Sequence, residues 1–374
     1  MTEPSQDTTS EGTGDNPTAA VLVPTPVRRR PTEAPTTLYE PDREALATLL
    51  HGQPRYRLDQ LWSGLYEQLG APEDLTTLPK ALRAELASQL PPALQVVTES
   101  VSDGGETVKW LWALADGTLV ETVLMHYDER STVCVSSQAG CAMGCSFCAT
   151  GQAGFDRQLT TGEIVEQVVR AGRRARQDGR RLSNVVFMGM GEPLANYDAT
   201  WRAVERLHGA IGLSARHLTV STVGIVPGIR RLATEALPVN LAVSLHAPDD
   251  ALRDELVPIN RRYPLSVLMD ACSGYLLAKG RRLSFEWALI DGINDRDSDA
   301  DLLVERSRSL PLAAHVTLIP LNPTPGYPVR GPPMRRVRRF RDRLRAGGVN
   351  ATIRQTRGTE IDAACGQLRA SHTA

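Results

Sequence analysis

The sequence has no apolar run approaching the about 20 residues that a membrane-spanning helix needs. Its first residues, Met1 to Asn16, are polar and acidic, without a signal-peptide pattern. Together these absences argue against a membrane or secreted protein and make the cytoplasm the expected compartment. Cysteine is also scarce: six in 374 residues, three of them clustered, cannot form the disulfide framework of a secreted domain. Net charge is almost absent, with 42 Lys and Arg against 43 Asp and Glu giving −1. That sum argues against a uniformly basic nucleic-acid binder, although the distribution of charge matters more than its total. What remains is a 41% apolar chain, of a length that suits one barrel with an appendage.

The clustered cysteines form the run Cys141-Ala-Met-Gly-Cys145-Ser-Phe-Cys148, and no fourth cysteine stands at ligand spacing beside them. A closed structural zinc site would want four ligands, yet histidines on either side, such as His126 and His217, sit at no recognisable spacing. Thiolates are the ligands of iron-sulfur clusters. A cube held at three corners leaves one iron open to bind and activate a small molecule. The CxxxCxxC spacing resembles that of radical S-adenosylmethionine (SAM) enzymes, which implies a 4Fe-4S cluster whose free iron chelates SAM.

Residues 1–40, rich in Thr, Pro, Glu and Ser, cannot bury enough apolar surface to offset ordering and are expected to form a disordered tail. Leu46, Leu49, Leu50, Leu58, Leu61, Trp62, Leu65, Tyr66 and Leu69, then Leu82, Leu86 and Leu90, recur at near-helical spacing and predict a small helical domain over 41–95. Pro91 and Pro92 end it. Val108 to Leu114, the Asp116-Gly117 turn and Thr118 to Met125 predict a β-hairpin in a 96–130 extension. From 131 to 374, β-rich runs alternate with helical stretches. The strands are expected at Thr132–Val135, Asn184–Met188, His217–Ser221, Asn240–Ser244, Leu283–Leu289, His315–Ile319 and Ala351–Arg354. A capping box at Thr160 and Glu163 opens one helix, and Met334–Ala346 forms the last. Repeating βα units give an α/β fold with a parallel sheet, an incomplete (β/α)6-type barrel with its site on the loops after the strand ends. The cysteine loop follows the first strand.

Two groups of arginines stand out, one from Arg170 to Arg181 and one from Arg335 to Arg345. Each reads equally as a solvated helix face or as a grip on phosphate.

Polar residues also collect at the strand ends. Gly191 and Glu192, in Met188-Gly-Met-Gly-Glu-Pro193, follow the second strand; Ser221 ends the third; Ser244-Leu245-His246 ends the fourth; Asn322 follows the sixth. Singly these are caps or turn formers. At successive strand ends they suggest a polar ligand pocket, in which the Glu192 carboxylate could accept from an ammonium such as that of SAM.

Taken together, Val120 to Val123, Cys134 to Gln138, Cys141 to Cys148, Met188 to Pro193, Ser244 to Pro248, Val257 to Asn260 and Thr356 to Leu368 resemble the radical SAM dual-specificity RNA methyltransferases, from about residue 40 almost to the C-terminus. That resemblance implies methylation of carbon 2 of adenine in 23S rRNA, at the peptidyl transferase centre, and in the anticodon loop of tRNA. It gives Cys141, Cys145 and Cys148 the cluster, and Gly191, Glu192, Ser221, Ser244, Leu245, His246 and Asn322 the SAM site. Cys365 becomes the methyl-accepting cysteine, Glu121 the proton acceptor, and Cys134 the thiol that releases product through a transient disulfide. It also implies a monomer served by an electron donor such as flavodoxin or ferredoxin. The sister family that modifies carbon 8 of the same adenosine shares the cluster, both cysteines and the barrel, and is the alternative.

Read without the family, Cys134 between Val133 and Val135 suits a small core residue. Glu121 suits a solvated strand face, Cys365 an ordinary tail, and Cys272 the core.

Overall fold

The computed structural model describes residues 36–324 and 326–370, so the expected tail lies outside the described residues as far as residue 35. Thr37, Leu38 and Tyr39 are buried, and the Leu38 amide donates to the Pro91 carbonyl at 3.0 Å. Three helices follow: α1 (Arg43–Leu49), α2 (Tyr56–Tyr66) and α3 (Lys80–Gln89). Their apolar stripe, including Leu46, Leu61, Leu65, Leu82 and Leu86, joins the same core as the barrel residues Val133, Val165 and Phe187.

The extension has three strands, β1 (Gln95–Ser102), β2 (Thr107–Ala113) and β3 (Leu119–His126), all antiparallel. After the turn at residues 127–130 comes β4 (Ser131–Cys134), which pairs antiparallel with β3, placing Val123 opposite Cys134. A small pair, β5 (Gln138–Gly140) and β6 (Phe155–Gln158), flanks the cysteine loop and the short helix α4 (Ala149–Ala153). Helix α5 (Thr161–Gln177) starts at the expected capping box: Thr160 accepts from the Glu163 amide, and Glu163 from the Thr160 amide.

The sheet then continues in parallel through β7 (Leu182–Phe187), β8 (Leu218–Thr222), β9 (Asn240–Ser244), β10 (Leu283–Leu289), β11 (His315–Pro320) and β12 (Asn350–Ile353). These strands, with β4, lie within two residues of the seven expected ones. Between them run α6 (Tyr197–Gly209), α7 (Val226–Thr234), α8 (Asp250–Leu256), α9 (Leu265–Lys279), α10 (Asp297–Arg308) and α11 (Met334–Ala346). Strands such as β9 and β10 are buried along almost their whole length, as a parallel sheet covered on both faces requires. The ten-stranded sheet is ordered β1-β2-β3-β4-β7-β8-β9-β10-β11-β12, and its two edge strands do not pair, so the barrel stays open. Among the described residues no helix is long and apolar enough to cross a membrane.

The first arginine group proves to be internal glue. Arg173 donates to the Leu69 carbonyl and the Tyr39 hydroxyl, and Arg176 to the Gln68 and Glu67 carbonyls at 2.6 and 2.7 Å. Arg170, Arg174 and Arg180 pair with Glu166, with Glu99 and Asp178, and with Glu106. In the second group, Arg336, Arg339 and Arg343 pair with Asp295, Asp297 and Asp301, two of these aspartates lying on α10. Most of this charge therefore binds helices to their neighbours.

Candidate active site

One cavity at the carboxyl ends of the parallel strands, about 1470 Å³ when its solvent-open mouth is counted, is lined by Cys141, Cys145, Cys148, Gly191, Glu192, Ser221, Ser244, His246, Asn322, Cys134 and Cys365. The expected residues thus converge, except two. Leu245 is fully buried behind the wall, where its amide donates to the Glu286 carbonyl at 3.0 Å. Glu121 lies one step along the face of β3 that gives Val123 and Met125 to the cavity. Its carboxylate pairs with the Lys109 ammonium at 2.9 Å and accepts from the amides of Arg369 and Ala370 at 2.9 and 3.2 Å. The base expected from the resemblance is held under the C-terminal backbone.

Gly191 has φ +98°, and a methyl group there would meet the Gln138 side chain at 2.5 Å. The glycine is therefore required by its own neighbour: Gln138 accepts from the Glu192 amide at 2.7 Å and holds the turn in place. Each oxygen of Glu192 takes one backbone N–H, from Leu194 at 3.0 Å and from Val223 at 2.8 Å. Each keeps a further acceptor position. Burial pushes this carboxyl up to about 7, so an arriving ammonium would favour its charged form.

His246 has a left-handed backbone, φ +60°, which is strained for a residue with a side chain and needs its surroundings to fix it. Three hydrogen bonds do so: Asn294 Nδ2 donates to its carbonyl at 2.7 Å, the Ala288 amide to its Nδ1 at 2.9 Å, and the Leu245 amide to Glu286 O. Because Nδ1 accepts, the neutral ring carries its proton on Nε2 and is a donor there. Burial lowers this imidazole to about 3. A depressed histidine gives stability that is complete above its unfolded value near 6.5 and is lost as pH falls toward the folded one. The stability difference between wild type and His246→Gln is thus expected to shrink by about 2 kcal/mol from about pH 7.5 to about pH 5. Denaturant unfolding at both pH values checks it; an unchanged difference would mean that the ring is not buried neutral.

Arg253, fully buried on α8, ties two strand-end loops to the turn that follows its own helix. It donates to Leu245 O at 3.1 Å, Val223 O at 2.6 Å, Ser244 O at 3.2 Å and Asn260 Oδ1 at 2.9 Å. Asn260 in turn donates to Asp250 and Asp254, which relays negative charge toward the guanidinium. No sequence signal marked Arg253, although Asn260 lay in a matching segment. Arg253→Leu orphans three carbonyls and is expected to cost about 3–5 kcal/mol of stability in denaturant unfolding. A loss under about 1 kcal/mol would show that the loops hold without it.

Two further residues were missed. Arg354, just beyond β12, lines the cavity, where its cation is strengthened first by Cys365 and also by Glu286 and Cys134. Buried Glu286 keeps one carboxylate oxygen without a partner. Burial pushes Cys134 up to about 12, with Cys365 adding and Arg354 opposing. The Cys365 loop is pinned at both sides: Asn322 Nδ2 donates to Cys365 O at 3.1 Å, and the Ala149 amide to Gly366 O at 2.8 Å. It therefore sits at the start of α4, directly after Cys148.

The donor set fits a cluster. Burial pushes Cys141 up to about 12 and Cys145 well above its usual range, so both thiols need cationic iron to be held as thiolates. Among the described residues no three His, Cys, Asp or Glu side chains converge on one ion. A cube gives each thiolate a different iron, so its ligands stand apart. All six cysteines are free.

Comparison with known proteins agrees with this geometry. Residues 135–303 match the radical SAM superfamily model. The chain is 53% identical over 361 residues to the probable dual-specificity RNA methyltransferase RlmN of Parafrankia sp., covering 92% of this chain and 93% of the relative. It is 51% identical to the protein of the same name from Chloroflexus aurantiacus, with 90% and 93% covered. The crystal structure of a radical SAM methyltransferase from Sphaerobacter thermophilus superposes with a TM-score of 0.87 at 53% identity, covering 90% of this chain and all of that one. The chain is a radical SAM enzyme that takes a 4Fe-4S cluster and SAM, and it belongs to the family of dual-specificity RNA methyltransferases.

Proposed function

We propose that this chain methylates carbon 2 of an adenine in 23S rRNA and in tRNA, through a methylated cysteine. The observation that carries the reading is that Cys134 and Cys365 line the same cavity as the three cluster cysteines. A cluster at Cys141, Cys145 and Cys148, with SAM against Glu192, Ser221, Ser244, His246 and Asn322, would supply one electron and a means of removing a hydrogen atom from an unactivated carbon. Carbon 2 of adenine is electron-poor and bears no acidic proton, so a polar methyl transfer assisted only by a base does not reach it.

The residues of the chain divide the remaining work. The Cys365 sulfur loses its proton and takes the methyl group from the sulfonium of a first SAM, forming one carbon-sulfur bond as another breaks. Arg354 is the cation beside it. Once that carbon has joined the adenine and the adduct has given back the one electron that opened the reaction, Glu121 accepts the proton from carbon 2. This requires the C-terminal backbone at Arg369 and Ala370 to release the carboxylate. The Cys134 thiolate then attacks the Cys365 sulfur and forms the disulfide; the electron pair of the broken carbon-sulfur bond stays on the released carbon, which takes up a proton to become the product's methyl group. Both an oxygen-sensitive cluster and a resolving thiol suit the cytoplasm.

Mass spectrometry of digested 23S rRNA and tRNA from a deletion strain tests this. We expect 2-methyladenosine to disappear from both RNAs and to return with the gene. Return of 8-methyladenosine instead would overturn the assignment of carbon 2.

A further inference from the structure

At the rim of the cavity two arginines lie against one aromatic ring. The guanidinium carbon of Arg130 is 4.6 Å from the Tyr127 ring centre, and that of Arg357 is 4.5 Å from it. Arg357 lines the cavity, as does Met125, whose sulfur lies 3.8 Å from the Tyr127 hydroxyl. Tyr127 and Arg130 close the four-residue turn into β4, with the Tyr127 amide donating to Arg130 O at 2.8 Å. The two positive charges can be no farther apart than the sum of the two ring distances.

Neither arginine forms an ion pair among the described residues, although Asp128 and Glu129 are exposed in the same turn. The contrast with the arginines of α5, nearly all taken up by carboxylates or carbonyls, is sharp. Arg357 is nonetheless held in place. Its Nη1 donates to His126 O at 2.7 Å, the ring supports its plane, and its buried Nε has no acceptor. A fixed guanidinium whose charge no carboxylate neutralises, beside a second unneutralised guanidinium, is complementary to an anion.

We infer that Arg130, Arg357 and Tyr127 form a clamp for the RNA backbone phosphate next to the target nucleotide. The inference rests on the proposed RNA substrate. A base turned out of its stack into the cavity brings its flanking phosphates to the rim, where these two charges stand. The ring is covered by guanidinium and so is not free to stack a base. The clamp therefore reads phosphate and position, not sequence.

The test is fluorescence anisotropy of anaerobically reconstituted protein with a labelled RNA hairpin carrying an unpaired loop adenosine, across a salt series. Arg130→Gln and Arg357→Gln are each expected to weaken binding roughly fivefold to tenfold and to reduce the salt slope by about one. The same losses are expected when the loop adenosine is replaced by another base. Arg338→Gln, at a position exposed on α11 and outside every ion pair among the described residues, should bind like wild type. Among the described residues Arg130 makes no side-chain hydrogen bond, so its variant keeps the test open should Arg357→Gln unfold. Wild-type affinity and slope in the rim variants, or an equal loss in Arg338→Gln, would overturn the clamp alone. Failure of the wild type to bind any RNA would remove the RNA reading and the clamp together.

Discussion

Replacing Cys365 with alanine is expected to reduce RNA methylation below detection while the iron and sulfide content stays at the wild-type level. The sulfur sits in the cavity with the cluster ligands but belongs to a different loop, pinned by Asn322 and by the amide of Ala149. Its loss removes the methyl acceptor without removing a ligand. Cys134 lines the same cavity but stands in β4, and its place in the proposed sequence is the later exchange at the Cys365 sulfur. Radiolabel from SAM in the digested RNA reads the result. Any methylation above background in Cys365→Ala would take this cysteine out of the pathway.

Cys134→Ala should fail differently, by stopping after the new carbon-carbon bond has formed. The protein then stays joined to RNA through Cys365, because no thiol remains to exchange at its sulfur. We expect a ribonuclease-sensitive band of raised mass on denaturing gels, rising from a trace in wild type to a major fraction of the protein. The double variant Cys134→Ala/Cys365→Ala should lack it. An absent band in Cys134→Ala with intact SAM cleavage would mean that another group releases the product.

Much of this arrangement was legible beforehand because it is local. The parallel strands are apolar runs bounded by breakers, and β4, β7 and β9 stand within two residues of where the pattern put them. The cavity follows from the strand ends, where polar residues were expected to gather, but Arg354 and Glu286 in its lining carried no signal. Strand β1 was not legible either: it is an edge strand whose residues are mostly exposed, so no burial pattern marks it. The first arginine group, Arg170 to Arg181, misled for the opposite reason. Their partners, Glu99, Glu106 and the carbonyls of Glu67 to Leu69, are far away in sequence, and a run of charge does not reveal whether it is neutralised. Arg253 and Gln138 act through backbone groups, which every sequence has everywhere. Glu121 was legible as to its face of β3 but not as to the tail that covers it, since that contact spans 248 residues.

The account depends most on three thiolates holding a cluster with one iron open. Anaerobic reconstitution, followed by quantification of iron, sulfide and 5'-deoxyadenosine released from SAM under reduction, tests it most directly. The expected result is a brown protein with iron and sulfide in equal amounts that cleaves SAM, and the loss of both properties in Cys145→Ala. A colourless protein that holds zinc, or a cluster-loaded protein that leaves SAM intact, would contradict it.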